Sequence, residues 1–335
     1  MTKLLLFNVL DDEIGVIDQW LAKNPTVQID TNRVTLTAET VDLAQGYDGI
    51  VLQQDNLIDD PVIYQKLHEF GIKQISLRTT GYETVDLKAA AANDLVVTNV
   101  PAYSPRSVSE LVLAHTMWLL RHLNVAAKRE SQNDFTWENL QAREIHELTV
   151  GIIGAGKIGS EVARIFKALG SHVIVSDPVH RPELNSVVTY VDQETVFKEA
   201  DIITMHTPLL DSTYHVVNEA AFQMMKPTAI FINASRGAVV DTPALLSALK
   251  TGEIAAAGID TIENEADIFS KDFSQSKQPN EWLQELLSLD NATVSPHIGF
   301  YTDIAVKNMV EISLADALAV IAGKHSAHEI SAEEE

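Results

Sequence analysis

Three polar residues follow apolar runs in the second half of the chain. Arg236 comes after Ile230-Phe231-Ile232-Asn233-Ala234-Ser235, Glu265 after Ala257-Gly258-Ile259-Asp260-Thr261-Ile262-Glu263-Asn264, and His297 after Val294-Ser295-Pro296. Together they suit hydride transfer to a 2-keto acid. Histidine is an acid–base near neutral pH, and a proton must reach the carbonyl oxygen as hydride reaches the carbon. A carboxylate beside the ring favours the imidazolium and fixes its orientation. A guanidinium fork suits a substrate carboxylate and carbonyl. Singly, each has a plainer reading: a turn histidine, a structural ion pair, one solvated acid among Glu263 and Asp267. The set gains weight from a cofactor signature upstream.

That signature is Gly154-Ala155-Gly156-Lys157-Ile158-Gly159, a G-x-G-x-x-G directly after the apolar run Thr149-Val150-Gly151-Ile152-Ile153 and opening a helical segment. Gly154 permits the tight turn, Gly156 lets backbone approach a pyrophosphate, and Gly159 allows close helix–strand packing. The pyrophosphate then sits at the positive N-terminal end of the helix. Asp177 ends the next apolar run, 18 residues beyond Gly159. An acid there accepts hydrogen bonds from ribose hydroxyls and repels a 2′-phosphate, so NAD is favoured over NADP. His180 and Arg181 follow closely and soften that discrimination. The alternative is a plain tight turn and a strand-end cap.

For these residues to converge, the runs must be strands of an open parallel sheet, whose carboxyl ends line one crevice. Strand-like runs recur at 4–9, 49–52, 74–77, 95–98, 149–153, 172–176, 202–206, 229–233, 256–259 and 293–295. Several lack polar alternation, as parallel strands covered on both faces do. Helix-like pieces lie between them at 12–22, 62–70, 157–169, 192–198 and 242–250. This repeated alternation predicts an α/β architecture. Two prolines in Asn99-Val100-Pro101-Ala102-Tyr103-Ser104-Pro105 mark an interruption after about five strand–helix steps. A long helix-like run from Arg106 to about Glu130 follows, apolar enough to be ordinary core or a helix buried between domains or subunits. A second long helix is expected over 302–321.

The length of 335 residues suggests about two domains, and 46% hydrophobic with 21% charged residues is globular composition. A net charge of −23 and a pI near 4.7 argue against nucleic-acid and anionic-membrane partners. Without cysteine there are no disulfides, thiolate nucleophiles or Cys-based metal sites. That suits a cytoplasmic protein. No His/Asp cluster at ligand spacing appears, so no metal is expected. The short N-terminal apolar run reads as a buried strand rather than a signal peptide, and no stretch reads as a transmembrane helix. The acidic residues 333–335 read as a solvated end.

The chain resembles the D-isomer-specific 2-hydroxyacid dehydrogenases, in their D-lactate and D-2-hydroxyisocaproate dehydrogenase branch, over nearly its whole length. Arg78-Thr79-Thr80-Gly81 with Val85-Asp86 is similar to that family's substrate loop, and residues 99–105 to its interdomain crossing. Ser235-Arg236-Gly237 with Val240-Asp241, Asp260-Thr261-Ile262-Glu263-Asn264-Glu265, and Ser295-Pro296-His297-Ile298-Gly299-Phe300-Tyr301-Thr302 are similar to its arginine, glutamate and histidine motifs. The resemblance implies reversible hydride transfer between NADH and a 2-keto acid such as pyruvate. It makes His297 the general acid–base, Glu265 its partner and Arg236 the substrate-orienting group. Backbone N–H groups around Thr80 and Gly81 would hold the carboxylate, with Tyr103 and Phe300 lining the pocket. Leu52, where lactate-selective relatives carry tyrosine, would widen it for larger acids. Lys157 and Ile158 would follow the glycine loop, and His206, Thr207 and Pro208 would line the adenosine side. Ala234 and Asp260 would face the nicotinamide, and Ser235 joins the cofactor set.

The implied fold has two Rossmann-like domains with open parallel sheets and an active-site cleft between them. Residues 1–101 and 299–335 would form the substrate domain and 102–298 the NAD-binding domain. A homodimer through the cofactor domains is implied, with helix 106–130 contributing. D stereochemistry comes from the resemblance alone. Two other readings stand beside this one: an NAD(H)-sensing binding protein of corepressor type, and a dehydrogenase of another acid such as glycerate.

Overall fold

Apolar runs without polar alternation become strands covered on both faces, and here they do so twice. The computed structural model describes residues 1–54 and 56–331; the expectation for 333–335 lies outside them. The chain divides into two units, Met1–Ser104 with Tyr301–Glu335, and Pro105–Phe300. The sequence reading set the divisions at 101/102 and 298/299. In the structure the second unit begins where Pro105 opens a helix, Pro105–Leu120, a position at which a missing N–H costs nothing.

The first unit holds a six-stranded sheet. Its strands are Thr2–Phe7 (β1), Val27–Thr31 (β2), Gly49–Leu52 (β3), Gln74–Leu77 (β4) and Val96–Thr98 (β5), joined later by Glu329–Ile330 (β13). The order is β13-β5-β4-β3-β1-β2, parallel except for β13. Alternation along β1 sends Leu5 and Phe7 to one core and Leu4 and Leu6 to the other. Helices Pro61–Glu69 and Leu87–Ala92 cover the first face through Ile63, Leu67 and Leu87. Helices Asp11–Lys23 and Asp303–Ile321 cover the second through Ile17, Trp20, Val310 and Leu314.

The second unit holds a seven-stranded parallel sheet in the order β12-β11-β10-β9-β6-β7-β8. These strands are Thr149–Ile153 (β6), His172–Ser176 (β7), Thr189–Tyr190 (β8), Ile202–Met205 (β9), Ile230–Asn233 (β10), Ala256–Ile259 (β11) and Ala292–Val294 (β12). Strand order reverses at β6, which pairs with both β7 and β9. Ligands of such sheets sit at this switch point, beyond the carboxyl ends.

The run read as one helix from Arg106 to Glu130 is two, Pro105–Leu120 and Leu123–Glu130. His122 separates them with φ of +53°, a left-handed conformation that no helix continues. Val108, Val112, Leu119 and Leu120 of the first piece belong to the core of their own unit. No described helix is long and apolar enough to cross a membrane.

Candidate active site

The glycine loop leaves β6 at the switch point. Gly154 adopts φ of +91°, and a Cβ there would meet His206 O at 2.6 Å. A Cβ on Gly159 would stand 2.0 Å from Gly154 O, so only glycine lets helix Lys157–Ala168 sit this close. Gly156 is different: nothing lies within 4 Å of its Cβ position, and no side chain caps the helix that it begins. Open space over a helical N-terminus without a side-chain cap fits a pyrophosphate. Lys157 is exposed there and Ile158 half-buried.

Asp177, at the end of β7, accepts from Ala155 N at 2.6 Å and from Val179 N at 2.7 Å, and meets Arg181 Nη1 at 3.2 Å. It therefore shapes the glycine loop. His206 follows β9. Burial pushes its imidazole down to about 3, so the ring is neutral. Its Nε2 lies 2.9 Å from Thr204 Oγ1, while its Nδ1 and Thr207 Oγ1 are buried without a hydrogen-bond partner. Thr207 is half-buried and Pro208 exposed. The residues present fit a dinucleotide.

Three further strand ends meet beside this cradle. After β10, Asn233 folds the chain back: its Nδ2 donates to Arg236 O at 3.0 Å, and its Oδ1 accepts from Ser235 N and Oγ at 3.1 and 2.9 Å. Ala234 and Ser235 are thereby buried and Arg236 half-buried. After β11, Glu265 anchors one carboxylate oxygen on Ile262 N at 2.8 Å. Its other oxygen lies 2.6 Å from Nδ1 of His297, which follows β12. His297 has φ of +54°, and Asn264, just before Glu265, has φ of +60°. Such conformations persist in non-glycine residues only where the surroundings enforce them, as at functional sites. Here His297 N donates to Asp260 O and Ser295 O at 2.9 and 3.0 Å. Burial pulls the His297 pKa down, but the hydrogen bond and charge of Glu265, with the charge of Asp260, outweigh it. Arg236 opposes them, and the net result lies above the ordinary histidine value. With Nδ1 engaged, Nε2 is the nitrogen left to exchange a proton. Phe300 packs edge-on to the ring, centroids 6.4 Å apart.

Asp260 does more than the sequence reading assigned it. Its buried carboxylate accepts from Ser295 Oγ at 2.5 Å, Ile298 N at 3.0 Å and Gly299 N at 2.9 Å. It ties down the turn that carries His297.

The other expected residues lie in the first unit. Thr79–Gly81 follow β4, and their carbonyls are turned inward: Thr79 Oγ1 donates to Gly81 O at 2.7 Å, and Asn99 Nδ2 to Thr80 O at 2.6 Å. Thr80 Oγ1 donates to Val100 O at 2.7 Å. Tyr103 is half-buried, and its carbonyl accepts from Asn308 Nδ2 at 2.6 Å. Leu52, fully buried at the end of β3, packs with Phe7, Ile50 and Leu77. Beneath the loop, fully buried Arg78 pairs with Glu13 at 2.7 Å and donates to Phe7 O and Asn8 O at 3.1 and 3.0 Å. Sequence reasoning missed Glu13 and Asn233. An acid in a helical first turn and an asparagine ending a strand carry no signal of their own.

Comparison with known proteins agrees with this geometry. Residues 113–299 match the family model described as "D-isomer specific 2-hydroxyacid dehydrogenase, NAD binding domain". A D-2-hydroxyacid dehydrogenase (NAD(+)) of Clostridioides difficile is 40% identical over 321 residues, covering 95% of this chain and 97% of that protein. Among solved structures, a D-lactate dehydrogenase from a Sporolactobacillus species is 49% identical, with a TM-score of 0.87 and coverage of 98% and 99%. The NAD-complexed form of a D-isomer specific 2-hydroxyacid dehydrogenase from Lactobacillus delbrueckii ssp. bulgaricus is 41% identical, with a TM-score of 0.88 and coverage of 98% and 100%.

Proposed function

The chain belongs to the D-isomer-specific 2-hydroxyacid dehydrogenases, NAD-dependent oxidoreductases acting on a CH–OH group, and from that premise we propose the following roles for its residues. The substrate is a small 2-keto acid such as pyruvate, reduced to the D-2-hydroxy acid. NADH, when bound, supplies the hydride. His297 supplies the proton from Nε2 to the carbonyl oxygen, and takes it back in the reverse direction. Glu265 keeps the ring protonated and oriented through Nδ1. Arg236 polarises the carbonyl and binds the carboxylate. The N–H groups of Thr80 and Gly81 hold that carboxylate, which is supported by the inward turn of the loop's carbonyls. Tyr103 and Phe300 line the side-chain pocket. The first unit is the substrate domain, and the second, with Gly154, Gly156, Gly159 and Asp177, the cofactor domain.

The observation that carries this reading is the 2.6 Å contact of Glu265 and His297 at strand ends next to the glycine loop. Loss of NADH absorbance with pyruvate, 2-ketoisocaproate and phenylpyruvate tests it. Turnover is expected, forming the D isomer. Binding of NADH without turnover on any of them would favour a dinucleotide sensor or an enzyme of another acid such as glycerate. The chain works as a homodimer, a reading supported by Phe135 and Trp137, which are 74% and 85% exposed on the second unit. The absence of cysteine suits a cytoplasmic place.

A further inference from the structure

Helix Pro105–Leu120 sends one polar ring inward. His115 is buried, 6% exposed, over Gly258 of β11. A Cβ on Gly258 would stand 2.9 Å from His115 Cβ and 3.0 Å from its Cγ, so the glycine makes the room. His115 Nε2 lies 2.8 Å from Ser295 Oγ, which lies 2.5 Å from Asp260 Oδ1. A hydroxyl has one proton, and this one goes to the carboxylate. His115 must therefore donate from Nε2. Burial holds its pKa below the ordinary histidine value against the pull of Asp260, which favours the neutral Nε2–H form. An apolar side chain would fill the space without the cost of burying polar groups. What the polar chain adds is direction: it fixes the Asp260 carboxylate, and that carboxylate fixes Ile298 N and Gly299 N, the two amides that directly follow His297.

We infer that His115 and Ser295 are positioning residues for His297, a buried relay through Asp260 that keeps the imidazole seated on Glu265. The inference rests on the acid–base role proposed for His297. The charged groups facing His297 are Glu265 and Asp260, which raise its pKa, and Arg236, which lowers it. Any loosening of the turn therefore registers as a change in its titration.

The test compares Ser295→Ala and His115→Leu with the donor-preserving Ser295→Thr and His115→Gln. In the first pair kcat for keto-acid reduction should fall roughly tenfold, with the NADH dissociation constant within about twofold of the parent. The alkaline limb of kcat/KM should move to lower pH, and the second pair should return it. A limb that stays in place while Tm falls would mean a merely structural role and overturn the inference. Histidine ¹⁵N NMR of the unaltered, ligand-free chain gives a reading that no folding defect can obscure. At pH 7 His115 should be neutral with its proton on Nε2; an Nδ1–H tautomer or a charged ring would overturn the relay. The titration of His297 by the same method, in the parent and in Ser295→Ala, reads the shift without turnover. A chain inactive on every keto acid would thus sink the dehydrogenase reading, while the relay would still be decided by NMR.

Discussion

His297 carries a pKa raised above 6.5 by Glu265 and Asp260 against burial and Arg236, and the sign of its pH dependence follows. In the proposed mechanism reduction needs the imidazolium, so kcat/KM for a keto acid should fall as pH rises through that value. Oxidation of the hydroxy acid should rise through the same value. In Glu265→Gln the hydrogen-bonded charge is gone and burial prevails, so both limbs should move to lower pH. An unmoved limb would remove Glu265 from that role. His297→Ala should lower kcat by about 10²–10⁴-fold while leaving NADH binding in place. The same raised pKa makes a stability contribution, fully present below about pH 6.5 and lost as pH rises through the folded value. Leu52 gives a sharper contest between readings. If it belongs to the core, as its full burial indicates, Leu52→Tyr overpacks that core and costs about 1–3 kcal/mol, with substrate order unchanged. A shift toward pyruvate at constant Tm would instead support Leu52 as a wall of the pocket. Residue by residue, the candidate catalytic groups were legible because charged residues at the ends of apolar strands stand out. His115 was not, since one histidine in an apolar helical run reads as core, and its link to Ser295 spans 180 positions.

Elements show why some parts of the fold escaped the sequence. The strands read in advance include β3, β4, β9, β10 and β11, each buried along its whole length. The strands missed are β2, β8 and β13, and all three are sheet edges. An edge strand faces water and needs no continuous apolar run; Val27–Thr31 carries Gln28 and Asp30, and the other two are short. Their pairing is decided by the neighbouring strand, not by their own composition. Long-range anchors escaped for a related reason. Arg78 was read as part of a substrate loop, but its guanidinium points into the protein and bridges Glu13 to the carbonyls ending β1. Arg78→Met should therefore strand Glu13 as a buried unpaired charge and cost about 3–5 kcal/mol. The loop that it underpins should loosen as well, raising KM for the keto acid more than KM for NADH. Thermal unfolding and the two KM values check this; a parent-like Tm would show the pair to be dispensable.

At the scale of the whole molecule, the described surface carries an aromatic pair that neither core nor site explains. Phe135 and Trp137, two positions apart in a segment without regular structure, are 74% and 85% exposed. The segment is nevertheless held in shape. Asp134 accepts from Thr136 N at 2.9 Å, and Arg129 Nη1 donates to Thr136 O and Glu138 O at 3.2 and 2.8 Å. Large aromatics presented on a pre-ordered loop lose little entropy on binding and are common anchors of interfaces. If the chain dimerises as proposed, these two rings are the expected anchors of the interface. Charge opposes that association, because each chain carries −23. The attraction must then be apolar, and screening the repulsion should strengthen it. In sedimentation velocity the parent should run as a dimer at micromolar concentration, with its dissociation constant falling as salt rises. Replacing Phe135 and Trp137 by serine should cost roughly 2 kcal/mol or more for each, about 30-fold apiece in dissociation constant, and give a monomer. A dimer that persists in the double variant, or that weakens with salt, would place the interface elsewhere and make it polar. If the monomeric variant retained full turnover, each chain would be a complete catalyst and the dimer a matter of stability alone.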